Sequence, residues 1–266
     1  MNSQQIIYQV DAFTTKPFKG NPAGVCLLDH VPSVEWMQNI AMEMNLSETA
    51  FVFNSDGKRH IRFYTPEAEI SLCGHATLSA SHIMFEQGFA PTDKVLVLSS
   101  KVGDLMVSKD GDWITMNFPA FSYNNVEITP EFRNITALDA VELYEAGEGW
   151  TLAIMKDEQS VRNAAPDLAR MKNSRYGDMI ITAPSDDSRF DFCVRCFAPA
   201  LGINEDPVTG SAHCALTPFW SARLGKTSFI SHQVSKREGI LRVSLDGARV
   251  NVSGQALTIF KAELYV

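Results

Sequence analysis

The fold is decided by two short stretches of this chain, Ile61-Arg62-Phe63-Tyr64-Thr65-Pro66 and, after a loop, Cys73-Gly74-His75-Ala76. Both stretches return in the second half, as Val194-Arg195-Cys196-Phe197-Ala198-Pro199 and Thr209-Gly210-Ser211-Ala212. The two arginines are 133 positions apart, half of the 266 residues, and the two glycines are 136 apart. Such a repeat predicts two similar domains packed about a pseudo-twofold axis, with a cleft between them that is a favoured place for a ligand.

The length of the chain suits two domains of about 130 residues each. We predict a first domain at residues 1–118 and a second at residues 119–254, with a C-terminal strand at residues 255–266 that returns to the first domain. Because no Ser/Gly-rich linker separates the halves, we expect them to be joined rigidly.

Alternating apolar residues predict strands through most of both halves, and three segments read as helices. Ser33 is placed to cap a helix that runs to about residue 44. A helix rich in small residues follows Gly74, and we expect its counterpart to begin at Gly210. Many strands with two central helices predict an α+β fold.

Composition excludes several classes of protein. The formal net charge of −8, without a basic block, argues against a nucleic-acid partner. No apolar run approaches the roughly 20 residues of a membrane span. The five cysteines have no framework spacing, and residues 1–5 show no signal-peptide pattern, so we expect a reducing, cytoplasmic location.

Gly74 and Gly210 each stand where a loop meets a helix N-terminus. Free backbone N–H groups and the positive end of the helix dipole attract a carboxylate there, and glycine allows close approach. Taken singly, each glycine is better explained by a tight turn. Their duplication favours a small anionic ligand.

Glu48 and His75 are the candidates for acid–base chemistry. Glu48 precedes an apolar strand, where burial raises the pKa of a carboxyl group and readies it for proton transfer, although many such glutamates are solvated strand ends. At the repeat offset its counterpart falls near Ile181, so we expect the acid–base group in one half only. His75 at a helix N-terminus is expected to stay neutral and to donate or accept one hydrogen bond. The alternative is a structural histidine whose hydrogen bonds go to the backbone.

The remaining candidates lie beside the two glycines. Asp206 either orients a substrate or forms an ordinary Asp-Pro turn, and Ser211 either binds a ligand or caps its helix. Cys73 could act as a base or nucleophile, but its counterpart is Thr209, so a two-thiol site is absent. We interpret His213, Cys193 and Cys196 as structural, and the spacing of the histidines, cysteines and carboxylates matches no zinc motif.

With these residues the chain resembles the PhzF family of phenazine-biosynthesis-type isomerases, whose fold is that of diaminopimelate epimerase. The resemblance runs nearly end to end and rests on several motifs together: Val10-Asp11-Ala12-Phe13, Phe18-Lys19-Gly20-Asn21-Pro22-Ala23-Gly24-Val25, Asn45-Leu46-Ser47-Glu48-Thr49-Ala50-Phe51, Arg62-Phe63-Tyr64-Thr65-Pro66, Cys73-Gly74-His75-Ala76-Thr77, Phe197-Ala198-Pro199 and Glu205-Asp206-Pro207-Val208-Thr209-Gly210-Ser211-Ala212. It implies two domains, each a curved sheet or barrel around a central helix, a homodimer, and no cofactor.

The resemblance also implies a role for each motif residue. Glu48 would be the acid–base group and His75 its assistant, while Asp206 and Ser211 would orient the substrate. Gly74 and Gly210, next to Cys73 and Thr209, would give backbone amides to the substrate carboxylate. The implied reaction is a proton shift within a small unsaturated carboxylic acid.

Two departures from the family pattern keep other functions open. Cys73 stands where epimerase relatives keep one of two catalytic thiols, with Thr209 in the other place, and relatives that pair cysteine with threonine are dehydratases. The chain is also short between about residues 120 and 178. The alternatives are a racemase or dehydratase that uses Cys73, and a non-catalytic protein that binds small carboxylates.

Overall fold

The computed structural model describes residues 5–147 and 149–266. The chain divides into two compact units, the first formed by Met1–Asn117 with Ser253–Val266 and the second by Phe118–Val252. The two boundaries lie inside strands Trp113–Pro119 and Arg249–Gly254.

Strands outnumber helices in both units. The strands are β1 (Gln5–Ala12), β2 (Asn21–Leu28), β3 (Glu48–Ser55), β4 (Lys58–Tyr64), β5 (Glu69–Ile70), β6 (Leu96–Ser100), β7 (Gly103–Asp110), β8 (Trp113–Pro119), β9 (Tyr123–Val126), β10 (Glu142–Ala146), β11 (Trp150–Ile154), β12 (Met179–Pro184), β13 (Phe192–Ala198), β14 (Ile203–Asp206), β15 (Ser228–Gln233), β16 (Gly239–Asp246), β17 (Arg249–Gly254) and β18 (Ala256–Leu264). The helices are α1 (Val34–Met44), α2 (Gly74–Glu86), α3 (Pro130–Thr136), α4 (Glu158–Arg162), α5 (Leu168–Met171) and α6 (His213–Leu224).

The first unit is built on a mixed sheet. Strand β1 pairs antiparallel with both β18 and β2, and β2 then pairs parallel with β3. Strand β4 is antiparallel to β3 and parallel to β6, which continues antiparallel into β7. Helix α2 packs against β1, β2, β3 and β18 and is buried along nearly its whole length. Its run of small residues explains why a helix fits there, because small side chains allow close approach to the strands.

The second unit repeats the same sequence of pairings. Strand β11 is parallel to β12, β12 is antiparallel to β13, β13 is parallel to β15, and β15 is antiparallel to β16. The buried helix is α6, which packs against β15 and β16. A hydrophobic core of the second unit includes the buried side chains of Phe132, Met171, Tyr176 and Phe197. Mixed pairing with few helices confirms the predicted α+β fold.

Local sequence explains where helix α1 begins and ends. The Ser33 hydroxyl accepts a hydrogen bond from the Trp36 N–H at 3.1 Å, which confirms the predicted cap. The helix buries Met37, Ile40 and Ala41 and ends at Asn45 in the left-handed conformation.

Two segments differ from the prediction. Helix α6 begins at His213 and not at Gly210, because residues 210–212 form tight turns in which their carbonyl groups accept bonds from N–H groups three residues on. The region after residue 119, which the sequence left mixed, contains β9, α3 and β10. Within the described residues, no helix is both long and apolar enough to cross a membrane.

Candidate active site

Three of the predicted site residues converge at the N-terminus of helix α2. Cys73 is the residue that precedes the helix, His75 is its second residue, and Glu48 opens strand β3. The His75 Nε2 atom lies 3.0 Å from Oε2 of Glu48, and the Cys73 Sγ atom lies 3.4 Å from Nδ1 and 3.9 Å from Nε2 of the same ring. All three side chains are buried. A carboxylate, an imidazole and a thiol therefore share one desolvated place.

The position of the imidazole proton follows from Asn21. The Asn21 side-chain nitrogen lies 3.2 Å from Nδ1 of His75. With the amide oriented so, Nδ1 accepts a hydrogen bond, and the proton of a neutral ring sits on Nε2, facing Glu48. An imidazolium would require Asn21 to turn its carbonyl oxygen toward Nδ1. The orientation of the Asn21 amide is therefore coupled to the protonation state of His75.

The charges of this cluster differ from the prediction made for Glu48 and His75. Burial alone would raise the pKa of Glu48, but the charge of the nearby His75 ring, helped by Ser47 and Cys73, holds that pKa below its ordinary value. Burial alone would lower the pKa of His75, yet Cys73 and Glu48 raise it well above its ordinary value. The expected raised carboxyl pKa and neutral ring were wrong because the two groups touch, and attraction outweighs desolvation.

One oxygen of Glu48 is left without a well-directed donor. Although Nε2 of His75 is within range, Oε2 of Glu48 is buried and has no aligned hydrogen bond among the described residues. Such an oxygen is an acceptor available to another group. Among the features of this cluster, the available oxygen of Glu48 gives the strongest support for a binding or catalytic role.

Cys73 is poorly suited to act as a base. Burial first, and then the neighbouring charge of Glu48, raise the pKa of its thiol despite the opposing influence of His75. A thiol that keeps its proton at neutral pH is a weak base and nucleophile. The position at a helix N-terminus, which could lower a thiol pKa, is outweighed here.

In the second unit, Asp206 and Thr209 are held together by a residue that the sequence analysis missed. The Thr209 hydroxyl donates to the Asp206 carboxylate at 2.5 Å. The Gln233 amide oxygen accepts from the Thr209 N–H at 2.8 Å, and its nitrogen donates to the Asp206 carbonyl oxygen at 2.8 Å. Gln233 is fully buried. The loop that carries Asp206 is therefore fixed from strand β15.

The other predicted residues of this unit surround the same turn. Gly210 is buried and Ser211 is exposed, at the start of the tight turns before α6. His213 is buried and its ring nitrogens lie 2.9 Å from the Thr209 carbonyl oxygen and 2.8 Å from the Ser231 hydroxyl. Burial lowers the pKa of His213 to about 4. These contacts bear out the structural reading of this histidine.

Strand register corrects the predicted counterpart of Glu48. Phe51 pairs with Arg62 in the first unit, and Ile181 pairs with Arg195 in the second. These pairings make Phe51 equivalent to Ile181. Three residues earlier in each strand, Glu48 is therefore equivalent to Asp178 and not to Ile181. The offset changes because a short turn joins β3 to β4, whereas residues 185–191 join β12 to β13. Both halves therefore carry a carboxylate immediately before or at the start of this strand.

The two missed residues differ in how well the sequence signalled them. Asn21 stands inside a motif that carried the family resemblance, so its role could have been suspected. Gln233 lies on an ordinary strand, with nothing in its spacing to connect it to Asp206. Cys193 and Cys196, interpreted as core residues, are fully buried and not disulfide-bonded.

A cavity of about 420 Å³ lies elsewhere in the second unit. Its walls include Trp150, Arg175 and Tyr176, and none of the residues predicted for the site is among those that line it. Its volume therefore does not identify the chemistry of this protein.

Sequence and structure comparisons agree on the family. Residues 10–262 match the phenazine biosynthesis-like protein family, PhzC-PhzF. An uncharacterized isomerase of Halalkalibacterium halodurans is 41% identical over 259 residues, which cover 97% of each chain. The crystal structure of a PhzF-family phenazine biosynthesis protein of Enterococcus faecalis superposes with a TM-score of 0.94 at 37% identity, covering 99% of this chain and 100% of that one.

The protein belongs to the phenazine biosynthesis-like family and is an enzyme of the isomerase class. A more distant likeness concerns the fold alone. A structure described as a probable proline racemase from Agrobacterium radiobacter has a TM-score of 0.68 at 9% identity, with 98% of this chain and 93% of that chain covered.

Proposed function

We propose that this protein shifts a proton within a small unsaturated carboxylic acid, with Glu48 as the general acid–base. The observation that supports the proposal is the buried Glu48 carboxylate, whose Oε2 atom lies 3.0 Å from Nε2 of His75 and has no aligned hydrogen-bond donor in the part of the chain that the structure describes. A buried, ionised carboxylate with a lone pair available can act as a general base and accept a proton from carbon.

The electrostatics of the cluster suit the first step of such a reaction. Because its pKa is held below the ordinary value, Glu48 is ionised at neutral pH and ready to take a proton from carbon. In the reaction, a C–H bond breaks, its electron pair moves into the conjugated system, and Glu48 holds the proton. After exchange with solvent protons at Glu48, a proton adds to a different carbon, so the substrate and product are isomers.

His75 assists in this proposal without touching the reacting carbon. Its ring proton on Nε2 faces Glu48, and Asn21 holds the opposite nitrogen. A positive or proton-donating ring at this distance stabilises the ionised carboxylate and steadies its orientation. Loss of His75 should therefore weaken catalysis less than loss of Glu48.

The roles of Asp206, Ser211, Gly74 and Gly210 are carried by the family resemblance. We propose that the Asp206 and Ser211 side chains orient the substrate and that the two glycines offer backbone amides to its carboxylate. The fixed loop of Asp206 supports such a role, because a held carboxylate loses little freedom on binding. We also propose that Cys73 and Thr209 face the substrate. The proposal further includes a homodimer, a cytoplasmic location and a reaction without a cofactor.

The proposal is tested by incorporation of deuterium from heavy water into small carboxylic acids. A panel of unsaturated and amino carboxylic acids is incubated with the wild-type protein and followed by proton NMR. We expect at least one unsaturated acid to exchange, and we expect Glu48→Gln to slow that exchange by about 100-fold or more.

Glu158→Gln is the matched control. Glu158 is also a buried glutamate in an ion pair, with Arg162 at 2.6 Å, but it belongs to the second unit and to no predicted site. Exchange should survive in this variant. Wild-type rates in Glu48→Gln would contradict the proposal, and absence of exchange in the whole panel would favour the carboxylate-binding alternative.

A further inference from the structure

The cavity in the second unit lies at the end of a hydrophobic core. Strand β10 pairs Leu143 with Val126 of β9 and Glu145 with Thr151 of β11. Because alternate residues of a strand point to the same face, Leu143 and Glu145 lie on one face of this sheet. Leu143 shares a hydrophobic core with Tyr176, and Val126 packs against that core. All five residues line the cavity, whose volume of about 420 Å³ falls in the range of about 300–1,000 Å³ that is typical of small-molecule sites.

The lining of this cavity changes in character from its base to its mouth. Leu143 and Tyr176 are buried, at 2% and 3% exposure. Glu127, Glu145 and Arg175, which also line the cavity, are exposed. An apolar base below a charged mouth fits an amphipathic ligand, with an apolar body and one charged end.

Carboxylates outnumber cations at this mouth. Among the described residues that line the cavity, the charged ones are Glu127, Glu145 and Arg175. The Arg175 guanidinium is already engaged, because its Nη2 atom donates to the Tyr176 hydroxyl at 2.6 Å and to the Glu131 carboxylate at 3.2 Å. The Glu127 and Glu145 carboxylates make no hydrogen bond or ion pair within the part of the chain that the structure describes. Three carboxylates against one guanidinium leave a surplus of negative charge, which attracts a cation.

From the apolar base and this surplus of negative charge, we propose that the cavity binds a primary amine with an apolar body. The ammonium group, which has three N–H donors, pairs with the Glu127 and Glu145 carboxylates, and the body contacts Leu143 and Tyr176. An acid of the same shape would bring a like charge to the two unpaired carboxylates, which opposes its binding. Because Glu48 does not line this cavity, the proposal does not rest on the isomerase reaction.

Three probes with the same apolar body and different charges test this assignment: 2-phenylethylamine, phenylalanine and 3-phenylpropionate. Each is titrated into the full-length protein at neutral pH and low salt, and binding is measured by calorimetry. We expect the amine to bind most tightly, the zwitterion less tightly, and the acid at least about 10-fold more weakly than the amine. The affinity for the amine should fall as salt is added, because salt screens exposed charges. No saturable binding of the amine, or a zwitterion or acid that binds as tightly, overturns the inference.

Two variants test whether the amine binds in this cavity. Glu127→Gln and Glu145→Gln each remove one charge from an exposed side chain while keeping its size, and each should weaken binding of 2-phenylethylamine by about two- to fivefold. The double variant should weaken it by about 10-fold. Glu43→Gln is the matched control, because it removes an exposed carboxylate from the first unit and should bind the amine as the wild type does.

Glu48→Gln separates this cavity from the catalytic cluster, since Glu48 is another carboxylate with an available oxygen. This variant should bind 2-phenylethylamine as the wild type does. Loss of amine binding in Glu48→Gln, or unchanged binding in the double variant of Glu127 and Glu145, overturns the inference. None of these measurements needs turnover, so a failure of the isomerase proposal is recognised separately, by deuterium exchange.

Discussion

Strands β4 and β13 carry the same brace, one in each unit. Arg62 binds Glu69 and lies over the ring of Tyr64, with the guanidinium 5.4 Å from the ring centre. Arg195 binds Glu205 in the same way and lies 4.9 Å from the ring centre of Phe197, also two residues on. In both units the Arg Nε to Glu Oε1 distance is 2.7 Å. The duplication has therefore kept an ion pair that fastens the segment after the strand.

The groups that this brace supports have diverged. In the first unit the segment leads to Cys73 and His75, which meet Glu48; in the second it leads to Thr209, which meets Asp206. The two units therefore share a framework, while the titratable side chains that this framework supports differ. Four predictions test how far this division holds.

Glu48 and Asp178 occupy equivalent positions in the two units, but we expect only Glu48 to contribute to catalysis. Glu48→Gln is expected to reduce deuterium exchange by a factor of about 100 to 10,000, the usual contribution of a general acid–base group. Asp178→Asn should change the rate less than about threefold, because burial is the only influence on the Asp178 carboxyl group found among the described residues, with no imidazole or thiol beside it. Exchange rates from proton NMR measure both. A large loss in Asp178→Asn would show that the second unit also contributes acid–base chemistry.

The two braces should differ in their effect on stability. Arg195 also donates to the carbonyl oxygens of residues 161, 162 and 164, so Arg195→Met leaves several partners unpaired. We expect a loss of about 3 kcal/mol in the free energy of unfolding. Arg62→Met should lose about 1 kcal/mol or less, because Glu69 keeps Lys101 at 2.6 Å.

Urea unfolding of the two arginine variants measures this difference. The double variant of Arg62 and Lys101 serves as the control, because it removes both partners of Glu69 and should lose more than Arg62→Met alone. Equal losses for the two single variants would mean that the carbonyl contacts of Arg195 contribute nothing.

The framework could be predicted from the sequence because the motifs that build it occur twice, once in each half. The duplicated Arg-x-aromatic-x-Pro and the two glycines predicted two similar halves, the many strands with two central helices predicted the α+β class, and the Ser33 cap was confirmed. Register could not be predicted so well. The connection after β12 is longer than the turn after β3, and this shift hid Asp178 as the counterpart of Glu48.

The electrostatics of the site depend on contacts that spacing does not reveal. Glu48 and His75 are far apart in the chain, and their 3.0 Å contact reverses the pKa directions that burial and a helix N-terminus would give each alone. Gln233 escaped for the same reason. Side chains that act across strands become visible only when the register is known.

Gln233 distinguishes the second unit from the first. By register its counterpart is Ser100, whose hydroxyl donates to the Gly103 carbonyl oxygen instead of reaching a distant loop. Gln233→Leu leaves the Thr209 N–H and the Asp206 carbonyl oxygen unpaired, so we expect a loss of about 2 kcal/mol in unfolding free energy. Ser100→Ala should lose less than about 1 kcal/mol.

Thermal and urea unfolding compare the Gln233 and Ser100 variants. Gln233→Glu is the informative companion, because it keeps the oxygen that accepts from Thr209 but loses the donor to Asp206. Its loss should be at least that of Gln233→Leu, because the buried carboxylate would face the Asp206 carbonyl oxygen with no donor between them. A Gln233→Leu protein as stable as the wild type would show that the loop of Asp206 is held by other contacts.

The smallest effect concerns the pH dependence of Asp178. Burial raises the pKa of this carboxyl group above its ordinary value of 3.8, and its Oδ1 atom has no hydrogen-bond partner among the described residues. A raised pKa means that the folded state holds the proton more tightly than the unfolded state. Asp178 therefore favours folding below pH 3.8 and loses that contribution as pH rises through the folded pKa. At neutral pH Asp178→Asn should be more stable than the wild type by less than about 1 kcal/mol, since solvent screens a half-exposed group.

Urea unfolding at neutral pH and again near pH 3.8 isolates this contribution. The advantage of Asp178→Asn should shrink as the pH falls, because the wild-type carboxyl group then keeps its proton in both states. Glu48 should behave oppositely, since a lowered pKa adds stability above the unfolded value that is lost as the pH falls through the folded value. Two carboxylates at equivalent strand positions would then respond to pH with opposite signs, and the cause is the single imidazole that only one of them contacts. If the difference in unfolding free energy between Asp178→Asn and the wild type stays constant across this pH range, the pKa of Asp178 is not raised by folding.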